Sequence, residues 1–347
     1  MTTKKILVDA RVIKTHPNRG IAKYLQTVIK SAELLKYQEY LDCVVFDGVF
    51  KNVRYRGALG QIFYIFEEQF ILPFYLYLRG FTHLISPNQT SPLLLFQTKQ
   101  ILIIHDIIYW ENINKKKLGG PMFLSSLYRS VCMKVKSVCR SSKVVTVSKT
   151  SRSKILQVFK FAEQDISILP NTISRAYLDK ASGVWETGDY LLCIGGLAKH
   201  KNLEIVENIF SGGSFDNLKL KVVCNHGGRK FNSSSIEYFE NLTDSELSSL
   251  YEKCSGLIFP SLDEGFGIPL LEAMAWGKPV CCSNIPVFRE IMEKKAYFFD
   301  PRSEEEIKAA IIEISSKKNT PINYKDILAK YDEEKAVQCF KSYLLKL

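Results

Sequence analysis

Two glutamates eight residues apart, Glu264 and Glu272, enclose a short loop that contains two glycines. The apolar residues 256–259 before the loop predict a strand, and Pro269 predicts the first turn of a helix. Backbone N–H groups at such a helix start favour a phosphate, and the two carboxylates could bind hydroxyl groups on either side of it. Alternatively, Glu272 only stabilises the first helical turn, and Glu264 is a solvated loop residue.

A second turn of the same kind lies earlier in this half of the chain. The apolar residues 190–194 predict a strand that ends at Gly195 and Gly196, and a helix is expected to start near Leu203. Between them, Lys199 and Lys201 could meet a diphosphate as point charges. Exposed loop lysines more often only increase solubility, so this turn is weak evidence by itself.

Short apolar runs alternate with helix-like segments in both halves of the chain, which is typical of parallel sheets covered on both faces. The sequence therefore predicts two doubly wound α/β domains, as its length of 347 residues also favours. We place the first domain at 1–172 plus 327–347 and the second at 173–326. The C-terminal helix is expected to pack back on the first domain.

The composition, with 46% hydrophobic and 24% charged residues, is that of an ordinary globular protein. The apolar run at the start is too short for a signal peptide, and no run approaches the roughly 18 residues of a membrane span. Nine cysteines without a C-x-x-C pair indicate reduced thiols. We expect a cytoplasmic protein.

The positive charge is concentrated in the first half. Residues 1–180 hold 27 Lys and Arg against 12 Asp and Glu, a formal charge of +15, so the remaining chain carries −4 of the total of +11. Such a field suits an anionic surface or an anionic acceptor. Nucleic acid is not expected as a partner, because neither a recognition helix nor an RNA-binding aromatic signature is present.

Two segments of the first half could contact a membrane. Residues 61–81 are crowded with aromatics and favour a buried helix packed on the sheet, with a membrane interface as the alternative. Residues 123–144 predict a helix with an apolar core face and an outer basic stripe, for which a solvated face is the default and anionic lipid the sharper alternative. The stripe consists of Arg129, Lys136, Arg140 and Lys143.

The context of the two glutamates resembles the signature of the retaining family 4 glycosyltransferases, which have the GT-B fold. The E-x7-E spacing alone would be weak, but the similarity extends over residues 259–280 and, in the family's order, over most of the chain. Its other segments are Asn18–Ile21, His105–Asp106, Thr146–Ser151, Leu169–Asn171, Gly195–Asn202 and Leu242–Tyr251.

The resemblance implies two Rossmann-like domains that face each other across a cleft, an acceptor-binding first domain and a nucleotide-sugar-binding second domain. It implies retaining transfer of a hexose such as mannose from a nucleoside diphosphate sugar to an undecaprenyl-linked or saccharide acceptor. The layout is most similar to bacterial enzymes that build O-antigen, capsule or other surface polysaccharides, peripheral at the inner face of the membrane. A sugar-nucleotide epimerase of the same fold is the alternative.

The resemblance also implies roles for individual residues. Glu272 would bind the ribose, Glu264 the donor sugar and Lys201 the diphosphate, while His105 would face the sugar from the first domain. The implied catalytic residues are therefore His105, Lys201 and Glu264, and the other implied donor-binding residues are Gly20, Gly195, Gly196, Gly265, Phe266, Gly267, Ile268 and Glu272. The family usually has an arginine at the position of Gly196 or His200, and this sequence has none there.

No metal or cofactor is expected. The sequence contains no Asp-x-Asp, so a metal clamp on the diphosphate lacks its usual ligands. Fixed N–H dipoles and a lysine can stabilise the departing nucleoside diphosphate instead. The nucleotide sugar is then a substrate, and turnover should not depend on a metal.

Overall fold

The computed structural model describes residues 4–15, 20–33, 41–49, 57–93, 95, 98–110, 120–139, 142–173, 177–179, 187–215, 217–224, 233–316 and 321–346. The chain divides into two compact units. The first unit combines Met1–Asn171 with Glu333–Leu347, and the second is Thr172–Asp332. Each contains its own parallel sheet.

In the first unit, the described strands form a parallel sheet with the order β2-β1-β3-β4-β5-β6. Runs of Val, Ile and Leu form its central strands because helices can cover both faces. The strands are β1 (Lys4–Asp9), β2 (Leu41–Phe46), β3 (His83–Ser86), β4 (Lys99–Ile104), β5 (Ser142–Thr146) and β6 (Ile166–Ile168). The helices are α1 (Arg11–Thr15), α2 (Gly20–Glu33), α3 (Gly57–Phe66), α4 (Leu72–Leu78), α5 (Gly120–Cys139), α6 (Lys149–Val158) and α13 (Glu333–Leu345), with a π-helical turn at Glu67–Ile71.

In the second unit, the described strands form a parallel sheet with the order β12-β11-β10-β7-β8-β9. Its strands are β7 (Tyr190–Ile194), β8 (Lys219–Val223), β9 (Ile236–Phe239), β10 (Gly256–Phe259), β11 (Val280–Ser283) and β12 (Tyr297–Phe299). Its helices are α7 (Leu203–Ser211), α8 (Asp244–Lys253), α9 (Ile268–Ala275), α10 (Pro286–Met292), α11 (Glu304–Ser316) and α12 (Lys325–Leu328). The two sheets and their flanking helices give the doubly wound architecture that the alternating pattern predicts.

The C-terminal helix α13 packs against α2 within the first unit, where Lys30 Nζ lies 2.7 Å from a carboxylate oxygen of Glu333. The structure places residues 327–332 in the second unit, whereas the sequence prediction placed them in the first. The reason is local packing: α12 contacts α9, and Ile327 is buried there. The chain joins the first unit only from Glu333 onward.

The predicted basic stripe is wrong in its orientation and its extent. Lys136 is buried, and its Nζ donates to the carbonyl of Leu93 at 3.3 Å. Helix α5 ends at Cys139, so Lys143 lies on β5, where it pairs with Asp165 at 2.5 Å. Arg140 lies outside the described residues, and Arg129 is half-buried. The apolar face that was predicted to pack on the core is exposed, and it consists of Leu127, Val131, Val135 and Val138. Periodicity identified two faces but not which one packs inward.

The aromatic segment 61–81 is also not simply a buried helix. Leu72 and Leu76 are buried, but an apolar row on the other side is exposed. It recurs every three or four residues and consists of Leu59, Ile62, Phe63, Phe66, Phe70, Phe74, Tyr77 and Leu78. We call this row the aromatic stripe.

The charges that interrupt this segment are buried. Glu67 and Glu68 are fully enclosed and face Arg11, whose guanidinium nitrogens lie 3.2 and 3.6 Å from their carboxylates. Arg11 also pairs with Asp9 at 2.7 Å, and the Tyr128 hydroxyl donates to Glu68. Burial raises the pKa of Glu68, although Arg11 opposes the increase. We call Asp9, Arg11, Glu67 and Glu68 the buried ion cluster.

Within the described residues, none of the helices has the length and apolar character needed to cross a membrane.

Candidate active site

The strand order of the second sheet places its ligand-binding edge between β7 and β10. From β7 the chain adds β8 and β9 on one side, then returns to add β10, β11 and β12 on the other. At this reversal, the loops beyond the carboxyl ends of the two adjacent strands separate and leave a crevice where ligands bind in such sheets. The two glycine turns predicted from the sequence follow β7 and β10, so the topology brings them together.

Direct hydrogen bonds fix the two loops to each other. The N–H of Leu262 donates to the carbonyl of His200 at 2.7 Å. Asn202 adopts a left-handed backbone conformation, with φ of 54°, which asparagine tolerates better than most residues. Its side-chain amide donates to the carbonyls of Pro260 and Pro301 at 3.2 and 2.7 Å. The Lys199–Lys201 turn is therefore held against the loop that contains Glu264.

Lys201 and Glu264 form the central ion pair of this site. Lys201 Nζ lies 2.6 Å from Glu264 Oε1, which also accepts a hydrogen bond from Ser261 Oγ at 2.8 Å. The two side chains retain 27% and 12% of their exposure, so the pair is shielded but still reachable. Lys201 Nζ also lies 5.8 Å from the centre of the Phe259 ring. The arrangement can present a cation and a carboxylate to one ligand.

Helix α9 begins directly after this loop, and Gly267 makes the tight entry possible. Gly267 has φ of 152°, and a Cβ there would lie 3.1 Å from Leu270 and 3.2 Å from Phe288. Any other residue would be strained by both the backbone angle and the contacts. Pro269 lies in the first turn, where its missing N–H costs no intrahelical bond.

Glu272 lies on α9 and is buried, with 6% of its surface exposed. The Tyr251 hydroxyl donates to Glu272 Oε2 at 2.9 Å. Burial, followed by the charge of Glu272, raises the pKa of Tyr251 well above its usual value, so the phenol keeps the proton that it donates. Trp276 Nε1 donates to Tyr177 Oη at 3.2 Å on the same side of the helix.

Gly195 and Gly196 have free space around them. A Cβ at Gly195 would come no closer than 3.9 Å to Lys201, and a Cβ at Gly196 would meet nothing within 4 Å. The packing of the unit therefore does not require glycine at either position. Small residues here leave the backbone open to a ligand.

His105 and Gly20 lie in the first unit. His105 follows β4 and is buried beside the edge of the Tyr24 ring, with 5.0 Å between ring centres. Burial lowers the pKa of His105 to about 4, so its imidazole is neutral near pH 7. Gly20 is the first residue of α2, and the preceding part of its predicted loop, residues 16–19, is outside the described chain.

The structure thus groups the predicted donor-binding residues of the second unit around one edge: the turn at Gly195 to Lys201 and the loop and helix from Glu264 to Glu272. Arg129, Lys136 and Lys143 do not form a common surface.

Sequence reasoning did not assign roles to Ser261 and Tyr251. Ser261 precedes Glu264 by three residues, a spacing that could have suggested contact across the loop. Tyr251 lies near the end of α8, whose start is marked by a capping box of Thr243 and Glu246. Its proximity to Glu272 depends on the packing of α8 against α9, which the sequence does not reveal.

Comparison with known proteins gives a family match over most of the second unit. Residues 176–331, which include both loops and α9, match the family described as glycosyl transferases group 1. The chain is a glycosyltransferase. It is 29% identical over 278 residues to the O-antigen chain mannosyltransferase RfbU of Salmonella typhimurium, an alignment that covers 75% of this chain and 72% of that protein.

Solved structures show that the glycosyltransferase has the GT-B fold. A sucrose-phosphate synthase from Thermosynechococcus elongatus superposes with a TM-score of 0.71 at 12% identity and covers 99% of both chains. Anabaena HepE, solved in complex with UDP and glucose, gives a TM-score of 0.68 at 15% identity, with coverage of 99% of this chain and 100% of that chain. At these identities the likeness concerns the fold.

Proposed function

We propose that this glycosyltransferase transfers a hexose, with retention of the anomeric configuration, from a nucleoside diphosphate sugar to a lipid-linked or saccharide acceptor of a bacterial surface polysaccharide. The observation that carries the proposal is the meeting of Lys201, Glu264 and the N-terminus of α9 at one crevice, with the buried Glu272 on the same helix. The similarity to an O-antigen mannosyltransferase supports mannose as the sugar and O-antigen as the product class.

We propose that the diphosphate, the ribose and the sugar of the donor each bind a different group of the site. The diphosphate binds Lys201 and the N–H groups at the start of α9, where the helix dipole favours an anion. Glu272 binds the ribose hydroxyls, and Tyr251 orients its carboxylate. Glu264 binds the hydroxyls of the donor sugar. The open space at Gly195 and Gly196 supports close approach of the phosphates to the backbone.

Donor binding is proposed to change the partners of the central ion pair. Without donor, Lys201 and Glu264 neutralise each other at 2.6 Å. A diphosphate competes for Lys201 because it offers a larger negative charge, and Glu264 then has an oxygen available for a sugar hydroxyl. Ser261 keeps Glu264 in position during this exchange.

In the reaction itself, the bond between the sugar C1 and the phosphate oxygen breaks, and its electron pair passes to the phosphate. The acceptor hydroxyl oxygen forms the new bond to C1 on the same face, and its proton passes to the departing phosphate. Lys201 and the N–H groups of α9 stabilise the charge that develops on the nucleoside diphosphate. The proposed role of His105 at the sugar follows from the family resemblance.

The proposal is tested by supplying the purified protein with radiolabelled nucleotide sugars and an undecaprenyl-linked glycan. A thermal-shift screen of GDP, UDP, ADP and dTDP first identifies the bound nucleotide, which should raise the Tm. We expect a labelled glycan with the α or β configuration of the donor. An isomerised nucleotide sugar would identify an epimerase instead, and salt-sensitive DNA binding without turnover would identify a binding protein.

Transfer is proposed to be independent of a metal and of any cofactor. The support is the absence of Asp-x-Asp from the sequence and the presence of Lys201 and α9 at the crevice. We expect the rate to be unchanged in EDTA. Loss of activity in EDTA that Mg²⁺ or Mn²⁺ restores would contradict this part of the proposal.

We further propose that the first unit binds the anionic inner face of a membrane through the aromatic stripe. Phe66 and Phe70, whose ring centres lie 5.2 Å apart, are exposed on the continuous helical segment 57–78. Arg79 follows this segment and Lys134 lies on α5, which contacts α3, and both basic side chains are exposed. An apolar row bordered by basic side chains is typical of a helix that lies in a membrane interface.

Vesicle co-sedimentation tests the membrane proposal. The triple variant Phe66→Ser, Phe70→Ser and Phe74→Ser should lose most of its binding to vesicles with anionic lipid, and binding of the parent should weaken with salt. Ile312→Ser is the control, because Ile312 is about as exposed as Phe70 and Phe74 but lies in the second unit. Equal binding of the parent and the triple variant would contradict the proposal.

A further inference from the structure

The first sheet has its own point of strand reversal, between β1 and β3, and Gln89 lies in the loop that follows β3. From β1 the chain adds β2 on one side and then β3 to β6 on the other. The carboxyl end of β3 borders this crevice, whose β1 side is filled by the buried ion cluster, and the carboxyl end of β4 lies next to that of β3. Gln89 and His105 follow these two strands.

Gln89 is held in an unfavourable state. It is 96% buried and has φ of 61°, in the left-handed region that glutamine rarely adopts. Its Nε2 donates to the carbonyl of Asp106 at 3.1 Å. Its Oε1 is buried without a hydrogen-bond partner among the described residues. Both the backbone angle and the unpaired oxygen lower stability, so the fold alone gives no reason for this arrangement.

The orientation of the amide is fixed by its neighbour. Asp106 supplies a carbonyl oxygen, which only accepts hydrogen bonds, so the amide nitrogen must face it. The oxygen of Gln89 must then point elsewhere. The amide lies next to the peptide that joins Asp106 to Ile107.

His105, directly after β4, also has a buried polar atom without a partner in the described part of the chain. Its Nε2 is buried and has no hydrogen-bond partner among the residues that the structure describes. Ser151 Oγ donates to the carbonyl of His105 at 3.1 Å, and Tyr24 packs against the ring, so the imidazole is held in place. The neutral imidazole can exchange hydrogen bonds with an uncharged hydroxyl group.

We propose that Gln89 is a substrate-binding residue whose Oε1 accepts a hydrogen bond from a hydroxyl of the sugar that this enzyme transfers or extends. The inference rests on the proposed sugar transfer and adds a residue that no sequence motif identified. A hydroxyl group suits the site because it donates to the amide oxygen without bringing a charge into a buried position. Through its bond to the Asp106 carbonyl, the Gln89 amide is fixed to the residue that directly follows His105.

Gln100 provides a matched control on the adjacent strand. It is also a buried glutamine, but both ends of its amide are used within the protein. Its Oε1 accepts from Ser91 Oγ at 2.7 Å, and its Nε2 donates to the carbonyl of Pro92 at 3.3 Å. Gln100 should therefore affect stability and not substrate binding.

The test compares Gln89→Met, Gln89→Gly and Gln100→Met in steady-state transfer, with KM measured separately for donor and acceptor. Glycine suits the positive φ, so the second variant keeps the backbone if the first folds poorly. We expect both Gln89 variants to raise the KM for one sugar substrate by about tenfold, while Gln100→Met leaves both KM values unchanged. The substrate whose KM rises identifies the donor or the acceptor as the source of the hydroxyl.

Deoxy analogues of that substrate complete the test. The analogue that lacks the hydroxyl bound by Gln89 should bind the parent about tenfold more weakly than the complete substrate does. Gln89→Gly should bind this analogue and the complete substrate equally, because the variant cannot form that hydrogen bond with either. Unchanged KM values in both Gln89 variants, with an active parent, would overturn this inference alone. An inactive parent would contradict the proposed sugar transfer and this inference together.

Discussion

The two units contain the same kind of crevice and fill it differently. At the reversal point of the first sheet, Arg11 and three carboxylates form the fully enclosed buried ion cluster. At that of the second sheet, Lys201 and Glu264 form one pair that keeps 27% and 12% of its exposure. The comparison shows that topology determines where charges gather, whereas burial determines whether they stabilise the fold or remain available to a ligand.

The difference follows from what surrounds each cation. The guanidinium of Arg11 is planar and donates to several carboxylates at fixed angles, which suits a permanent internal network. Its carbon Cζ also lies 4.3 Å from the centre of the Tyr64 ring. Lys201 has a compact ammonium on a flexible stem, so it can exchange one anionic partner for another. Mutation of Arg11 should therefore lower mainly stability, and mutation of Lys201 should lower mainly activity.

The largest expected effect is that of Arg11→Met. Removal of the cation leaves buried carboxylates without their counter-charge, which should lower the free energy of unfolding by about 3–5 kcal/mol. Urea denaturation measures this loss, and the exposed Arg79→Met should change the value by less than about 0.5 kcal/mol. A loss below about 1 kcal/mol for Arg11→Met would mean that the cluster is not structurally important.

Lys201→Met should show the opposite behaviour. Loss of the charge opposite the departing diphosphate should lower kcat/KM by about 100-fold to 1000-fold, while the partly exposed pair contributes at most about 1 kcal/mol to stability. Steady-state kinetics and thermal unfolding measure the two effects. Lys199→Met, in the same turn and exposed, is the control. Equal kinetic losses in both variants would remove the specific role of Lys201.

Glu272→Gln separates nucleotide binding from transfer. Glutamine preserves the shape and an acceptor for Tyr251 but removes the charge that should bind the ribose. We expect the Kd of the nucleotide, measured by calorimetry, to rise about 10-fold to 100-fold. Glu204→Gln, at an exposed position of α7, should leave it unchanged. A parental Kd in Glu272→Gln would refute the assignment to the ribose.

The smallest expected effect is a loss of stability at acid pH, which arises from His105 in the first unit. Because the pKa of His105 falls to about 4 in the folded protein from about 6.5 when unfolded, the unfolded chain binds more protons between these values. Stability contributed by the neutral histidine is fully present above pH 6.5 and is lost as the pH falls towards 4. Between pH 6.5 and 5.5 the loss should be about 1 kcal/mol.

His105→Asn measures this contribution. The variant should lose less stability than the parent over the same pH interval in urea denaturation, since asparagine does not titrate. Parallel pH profiles for the two proteins would show that His105 does not take up a proton on unfolding.

The second unit was more predictable from sequence than the first. Its strands, glycine turns and helix start have local signals, such as Pro269 after a glycine loop, and the parallel order then brings the loops together. The first unit depends on packing that is not local. Glu67 and Glu68 interrupt an aromatic helix, and only the proximity of Arg11 explains their burial. Likewise, Lys136 reaches a carbonyl 43 residues earlier in the chain, so periodicity alone assigned its helix face incorrectly.

The division of the chain also has a consequence for its synthesis. The second unit is one continuous segment, and its ends are joined where the N–H of Ile173 donates to the carbonyl of Tyr331 at 3.1 Å. It can therefore fold as soon as it leaves the ribosome. The first unit lacks α13 until residues 333–345 are made, and α13 supplies the buried Phe340 and Leu344. During translation, the second unit is therefore expected to complete its fold before the first unit does, although most of the first unit is made earlier.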